Sequence, residues 1–183
     1  MNKYFKILAL CSLPLLAACS LDREEPADPN SEWREENDNW IQAKAEEKDA
    51  DGNSVYEKVT APWDPNAYVL MRWHNDRTLN SSQLSPISTS TIDVRYEVSN
   101  IDGDLIDSSK KSVSPALGVY RSVLNNNING WIIGISQMHI GDTCTILIPY
   151  NQAYGSVSYG SLSPYSNLEF NVRLVGIPGF EKP

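Results

Sequence analysis

Histidine and cysteine are scarce in this chain, with two His and three Cys among 183 residues. That stock cannot build a disulfide framework and leaves little material for a metal site. Basic residues are also short, 15 Lys and Arg against 23 Asp and Glu, for a net charge of −8. A nucleic-acid binder needs a basic face to displace counterions, so that class is excluded. No Gly-x-Ser-x-Gly elbow and no Gly-rich phosphate loop occurs. The acids after residue 60 are scattered, and no motif pairs two of them for glycosidase chemistry. His74 and His139 have no evident acid–base partners in sequence, and His139, ahead of Ile140-Gly141, reads as a solvated turn residue. What is there suits a packed domain: 41% hydrophobic and 21% charged residues.

Charge divides the chain. Residues 1–21 carry +2, residues 22–60 carry −8 and residues 61–183 carry −2. Residues 1–18 read as a secretory signal: Lys3 and Lys6, then a mostly apolar run broken by Pro14, too short to span a bilayer. Leu16-Ala17-Ala18-Cys19 resembles a bacterial lipobox. The resemblance implies cleavage before Cys19, lipid on its thiol and new amino group, and a membrane anchor built from acyl chains. Cys11 then leaves with the signal and Cys144 stays alone, so no intramolecular disulfide is possible. Cys144 lies in the strand pattern Thr143–Ile148 and is expected to be a buried, inert thiol. Residues 19–30 read as a tether. Ser20–Glu25 loosely resembles the acidic export signals of Bacteroidetes surface lipoproteins.

Residues 31–60 form an acidic helical extension. The helix is expected over Ser31–Lys48, capped by Ser31, with Trp33, Trp40, Ile41 and Lys44 on one face. Asp49, Asp51 and Asn53 have a calcium-loop flavour, but the Gly is misplaced and the closing Glu absent, so a plain turn is expected. From Tyr56 on the pattern is strands and turns, and the domain is placed at residues 61–183. Tyr68–Trp73, Ser90–Val98, Thr143–Ile148 and Leu168–Ile177 read as strands, and Asp102-Gly103 as a hairpin turn. Asn129–Gln137 is the one helical segment there. The pattern predicts an α+β domain: a mainly antiparallel sheet whose apolar face one helix covers.

Gly130-Trp131-Ile132-Ile133-Gly134, followed by Met138 and Gly141, resembles the Gly-Trp-x-x-Gly-x-x-x-Met-x-x-Gly motif of FKBP-type peptidyl-prolyl isomerases. Ile148-Pro149, Ala153-Tyr154-Gly155 and Leu168–Leu174 continue the resemblance; Tyr96, Asp102-Gly103 and Asp107-Ser108-Ser109 precede it in register. It covers about residues 90–177. It implies an antiparallel sheet of about five strands curled around one short helix. It implies cis–trans isomerisation of prolyl bonds in polypeptide clients, with no cofactor, no metal and a monomeric chain; the signal and lipobox put those clients outside the cytoplasm. It also implies roles. Trp131 would be the floor under the prolyl ring, and Tyr96 and Phe170 the walls. The Ile128 amide and the Tyr154 hydroxyl would hold substrate carbonyls. Asp107 would orient polar groups at the rim, and Leu162 would close the far side.

The chain departs from the family pattern in three places. Ile106 stands where a wall Phe is usual, no aromatic falls near Pro115–Gly118 where a second pocket Phe is expected, and Asn127-Ile128 replaces Val-Ile. These substitutions point to a wider pocket with fewer ring edges. They keep a second reading open, a weak or inactive FKBP-like module that holds a partner protein. Retention of Tyr96, Asp107, Trp131 and Tyr154 favours the enzyme.

Overall fold

The computed structural model describes residues 28–179. The signal segment, Cys19 and most of the tether lie outside the described residues. In chain order the elements are α1 (Ser31–Glu46), β1 (Glu57–Ala61), β2 (Asp64–Trp73), β3 (Thr91–Ser99), β4 (Leu105–Ser108), β5 (Tyr120–Val123), α2 (Asn129–Ile135), β6 (Thr143–Ile148) and β7 (Leu168–Gly176). The strands form one antiparallel sheet in the order β1-β2-β6-β7-β3-β4. β5 pairs with β3 alongside Thr91–Val94, whereas β4 pairs with Glu97–Ser99, so two short strands share one outer edge. The sheet therefore counts seven strands where about five are expected, because that edge is split and the β1–β2 hairpin extends the other edge.

Burial along each strand follows from what covers it. In β7 the residues alternate, with Leu168, Phe170, Val172 and Leu174 inward. β3 does the same with Ile92, Val94 and Val98. Both strands have one covered face. By contrast Val69-Leu70-Met71 in β2 and Cys144–Ile148 in β6 are buried without alternation. Continuous burial means that both faces are covered. α2 packs on the concave face through Trp131, Ile133 and Ile135. On the opposite face Ile41 of α1, with Tyr56, covers Leu70 and Leu147.

The Gly-Trp motif owes its glycines to this packing. A Cβ on Gly130 would stand 2.3 Å from Ile148 Cγ2, and one on Gly134 would stand 2.9 Å from Ile146 Cδ1. Both glycines let α2 lie directly against β6. That contact carries Trp131 into the mouth of the curled sheet.

Several local expectations are corrected. Ser31 does not cap α1: Asn30 is the capping position and makes no side-chain cap bond. The entry is instead set by Asp28, whose carboxylate accepts the Asn30 amide at 2.9 Å and whose carbonyl accepts the Ser31 amide at 3.0 Å. The helix ends at Glu46, since Lys48 is drawn into a bridge with Ser54. Asp49 closes that turn by accepting the Asp51 and Asn53 amides at 3.0 and 2.8 Å. The sheet begins at Glu57, in keeping with the strand pattern read from Tyr56 on.

His139 is not a free solvated side chain; it is half-buried, and its Nδ1 lies 3.6 Å from Asp142 Oδ2. Asp142, fully buried, accepts hydrogen bonds from Asn75 Nδ2, Asn80 Nδ2 and the His139 amide at 3.0, 2.8 and 2.8 Å. Burial alone would raise its pKa, but these bonds and the Arg77 guanidinium hold it below the usual carboxylate range. The Ser-rich stretch between β2 and β3 is thereby tied to the end of α2. Cys144 is buried as expected; burial first, then the Asp142 charge, pushes its thiol up to about 12.

Candidate functional site

α2 and the inner ends of β3, β4, β5 and β7 enclose a cavity of about 470 Å³. Tyr96, Ile106, Asp107, Ile128, Trp131, Tyr154, Leu162 and Phe170 all line it. The fold brings them from six different segments. Trp131 comes from the first turn of α2 and is 4% exposed. Phe170 sits opposite Val98 across the β7–β3 ladder, and Val98 in turn opposes Asp107 of β4. One rung therefore carries both a wall and the rim.

The rings meet edge to face. Trp131 lies 5.3 Å from Tyr96 at 81° and 5.4 Å from Phe170 at 76°. Tyr120 stands 6.0 Å from Trp131 at 78° and 5.8 Å from Tyr96 at 84°. Such contacts turn positive ring edges toward negative faces and hold the rings without filling the space between them. The Tyr96 hydroxyl donates to Asp107 Oδ2 at 2.6 Å. Burial, then this bond, pushes the phenol well above the usual tyrosine range, so it stays protonated and a donor.

Polar groups stand at the rim. Ile128 is the capping residue of α2, a position whose amide has no intrahelical acceptor, and no described residue takes that amide. The Tyr154 ring stacks on Tyr159, 4.3 Å apart and 8° from parallel. Burial and the neighbouring Tyr159 and Asp107 raise the Tyr154 pKa, which keeps its hydroxyl neutral. Leu162 is 3% exposed, fixed by reciprocal backbone bonds with Tyr159 at 3.1 and 2.9 Å. Trp131 Nε1 is buried and unpartnered among the described residues. No group of three or more His, Cys, Asp or Glu stands close enough to hold a metal ion among the described residues.

A family model for FKBP-type peptidyl-prolyl cis-trans isomerase matches residues 83–175. The chain belongs to this family. The macrophage infectivity potentiator of Trypanosoma cruzi is 28% identical over 181 residues, spanning 96% of this chain and 85% of that protein. The FKBP-type 22 kDa peptidyl-prolyl cis-trans isomerase of Escherichia coli is 36% identical over 93 residues. There the match spans 50% of this FKBP and 43% of the relative. A solved peptidyl-prolyl isomerase of Pseudomonas syringae shares the fold, with a TM-score of 0.62 at 20% identity, over 84% of this chain and 98% of that one.

Six lining residues are not among those assigned from the sequence, Val98, Tyr120, Asn126, Asn127, Tyr159 and Leu168, and three of them shape the site. Tyr120 supplies an aromatic wall where none falls at Pro115–Gly118; Gly118, at φ +73, delays the return of the chain to the sheet. Asn127 faces the cavity while its Nδ2 donates to the Val123 and Leu124 carbonyls at 2.9 and 3.1 Å. Tyr159 buttresses Tyr154, and nothing local announces that stack.

Proposed function

We propose that this FKBP-type isomerase turns over X–Pro bonds of polypeptide clients outside the cytoplasm, in the cavity floored by Trp131. The observation that carries this reading is the cage of edge-to-face rings around Trp131, with the Ile128 amide and the Tyr154 hydroxyl at its rim. Rotating a peptide bond faces a barrier of about 18–20 kcal/mol. It breaks no covalent bond and needs neither acid, base nor nucleophile. The twisted amide has lost resonance and is less polar than the planar one. An apolar cage therefore favours the twisted form, which is differential binding of the transition state. The Ile128 amide and the Tyr154 hydroxyl hold the flanking carbonyls, so that rotation is confined to the prolyl bond. Tyr96 and Asp107 lock one another at the rim, and Ile106, Phe170 and Leu162 bound the prolyl ring.

The test is isomerisation of a proline tetrapeptide by the full chain, followed by NMR exchange. Catalysis is expected, with kcat/KM about tenfold lower in Tyr154→Phe, the value of one hydrogen bond. A rate equal to the uncatalysed one sinks the isomerase reading and leaves the module that holds a partner without turnover. Ile106 at the wall favours that rival; Tyr120 weighs against it, because it restores an aromatic to the cavity.

The address is a separate proposal. Lys3, Lys6 and the Leu16–Cys19 lipobox support a lipid anchor at Cys19 on a bacterial membrane, most simply the outer membrane. A relative from Legionella longbeachae is named outer membrane protein MIP. Labelled palmitate should enter the wild-type chain in a bacterial host and be absent from Cys19→Ser; equal labelling of both excludes the anchor.

A further inference from the structure

Ile106 and Leu162 line a second, smaller cavity as well as the first. It measures about 180 Å³ and lies across the ridge those two side chains form. Its other walls are Trp33 of α1, Asn100 and Asp102 in the β3–β4 turn, and Ser161, Ser163 and Ser166. We propose that it is a side-chain subsite for the client chain and that it takes a lysine or arginine close to the proline. The proposal rests on the isomerase reading.

The placement follows from reach. A client with its prolyl ring over Trp131 leaves the cavity at the rim, and an extended chain advances about 3.3–3.6 Å per residue. A residue one or two positions from the proline that crosses the Ile106–Leu162 ridge has its side chain over the second cavity.

The chemistry follows from the walls. Trp33, Ile106 and Leu162 are apolar and suit a methylene stem. Asp102 is the only charged side chain among the lining residues. Its carboxylate makes no hydrogen bond or ion pair with the described residues, while its backbone is pinned by its amide donating to Asn100 Oδ1 at 3.1 Å. A long cationic side chain lays its stem on apolar surface and leaves its head in water, where it meets this carboxylate. The indole adds an attraction for the same cation. A client glutamate meets like charge there.

The site is built rather than incidental. Trp33 Nε1 donates to Ser166 Oγ at 3.0 Å, and Ser166 Oγ donates to the Ser163 carbonyl at 2.8 Å. The ring is thus held against the loop that carries Leu162. Trp33 lies outside the residues the family model matches, so the subsite exists only because α1 docks beside the pocket.

The experiment uses the full chain and Ala-Pro peptides with Lys, norleucine or Glu at each of the two positions before and after the proline. At one position the wild type is expected to turn over Lys about fivefold better in kcat/KM than Glu, with norleucine between. Asp102→Asn, an exposed substitution, is expected to bring Lys and Glu together and leave the all-Ala reference unchanged. Trp33→Ala is expected to lower Lys and norleucine alike. A Lys/Glu ratio near one at all positions, or a ratio unchanged by Asp102→Asn, overturns the subsite while catalysis of the reference stands. Failure to turn over even the all-Ala reference overturns the isomerase reading beneath it.

Discussion

Trp131→Ala is expected to lower kcat/KM on a proline peptide by about 100-fold, equivalent to some 2.7 kcal/mol of lost transition-state stabilisation. The indole is the floor that meets both Tyr96 and Phe170 edge to face. Without it the cage opens into its own base, water reaches the prolyl ring, and the preference for the less polar twisted amide fades. The same substitution removes one of the largest buried side chains, at a cost of about 3–5 kcal/mol of stability. The two effects must therefore be separated. Urea unfolding gives the folded fraction, and activity is expressed per folded molecule. Trp131→Phe supplies the second arm: it keeps an aromatic floor and is expected to recover most of the lost activity while still costing stability. Trp131→Ala within threefold of wild type per folded molecule would show that the rings are core and not a site.

How much of this was legible in sequence depends on how local the physics is. The Gly-Trp helix was readable because its spacing carries two kinds of information at once: glycines where the helix touches β6, and the Trp where it faces the cavity. The alternating strands were readable for the same reason, since one covered face writes a period of two into the chain. Tyr120 was hidden because its place is fixed by the length of a loop, not by any pattern of neighbours. His139 looked exposed because turns usually are; its partner Asp142 is buried only after the stretch from Asn75 to Asn80 folds over it. Asn37 was the deepest omission. A polar residue on the face of an acidic helix reads as solvated, yet it is fully buried. Nothing in its own segment reveals this, because the group that satisfies it lies near the far end of the chain.

That residue carries the other large expectation. Asn37 Oδ1 accepts the Asn167 amide at 2.7 Å, and the Asn37 carbonyl accepts Asn167 Nδ2 at 2.5 Å. Asn37 Nδ2 donates to the Trp33 carbonyl at 2.8 Å, and Asn167 Oδ1 accepts the Tyr150 amide at 2.8 Å. Asn37→Leu leaves the Asn167 amide buried without an acceptor and forces a branched apolar side chain into a polar slot. The expected cost is about 3 kcal/mol, from an orphaned donor and overpacking together. Ile41→Val on the same helix is the control, since it trims the contact with Leu70 and Leu147 at about 1 kcal/mol and touches no polar partner. The two variants should also differ in kind. Asn167 directly precedes Leu168, which lines the cavity, and Tyr150 opens the turn that leads to Tyr154. Asn37→Leu is therefore expected to raise KM for a proline peptide about threefold in molecules that remain folded, and Ile41→Val to leave it unchanged. Equal KM values for both variants would reduce α1 to a cover on the sheet. A split between them makes the helix a strut of the site, because the bonds that dock it are the ones that space the two flanks of the pocket.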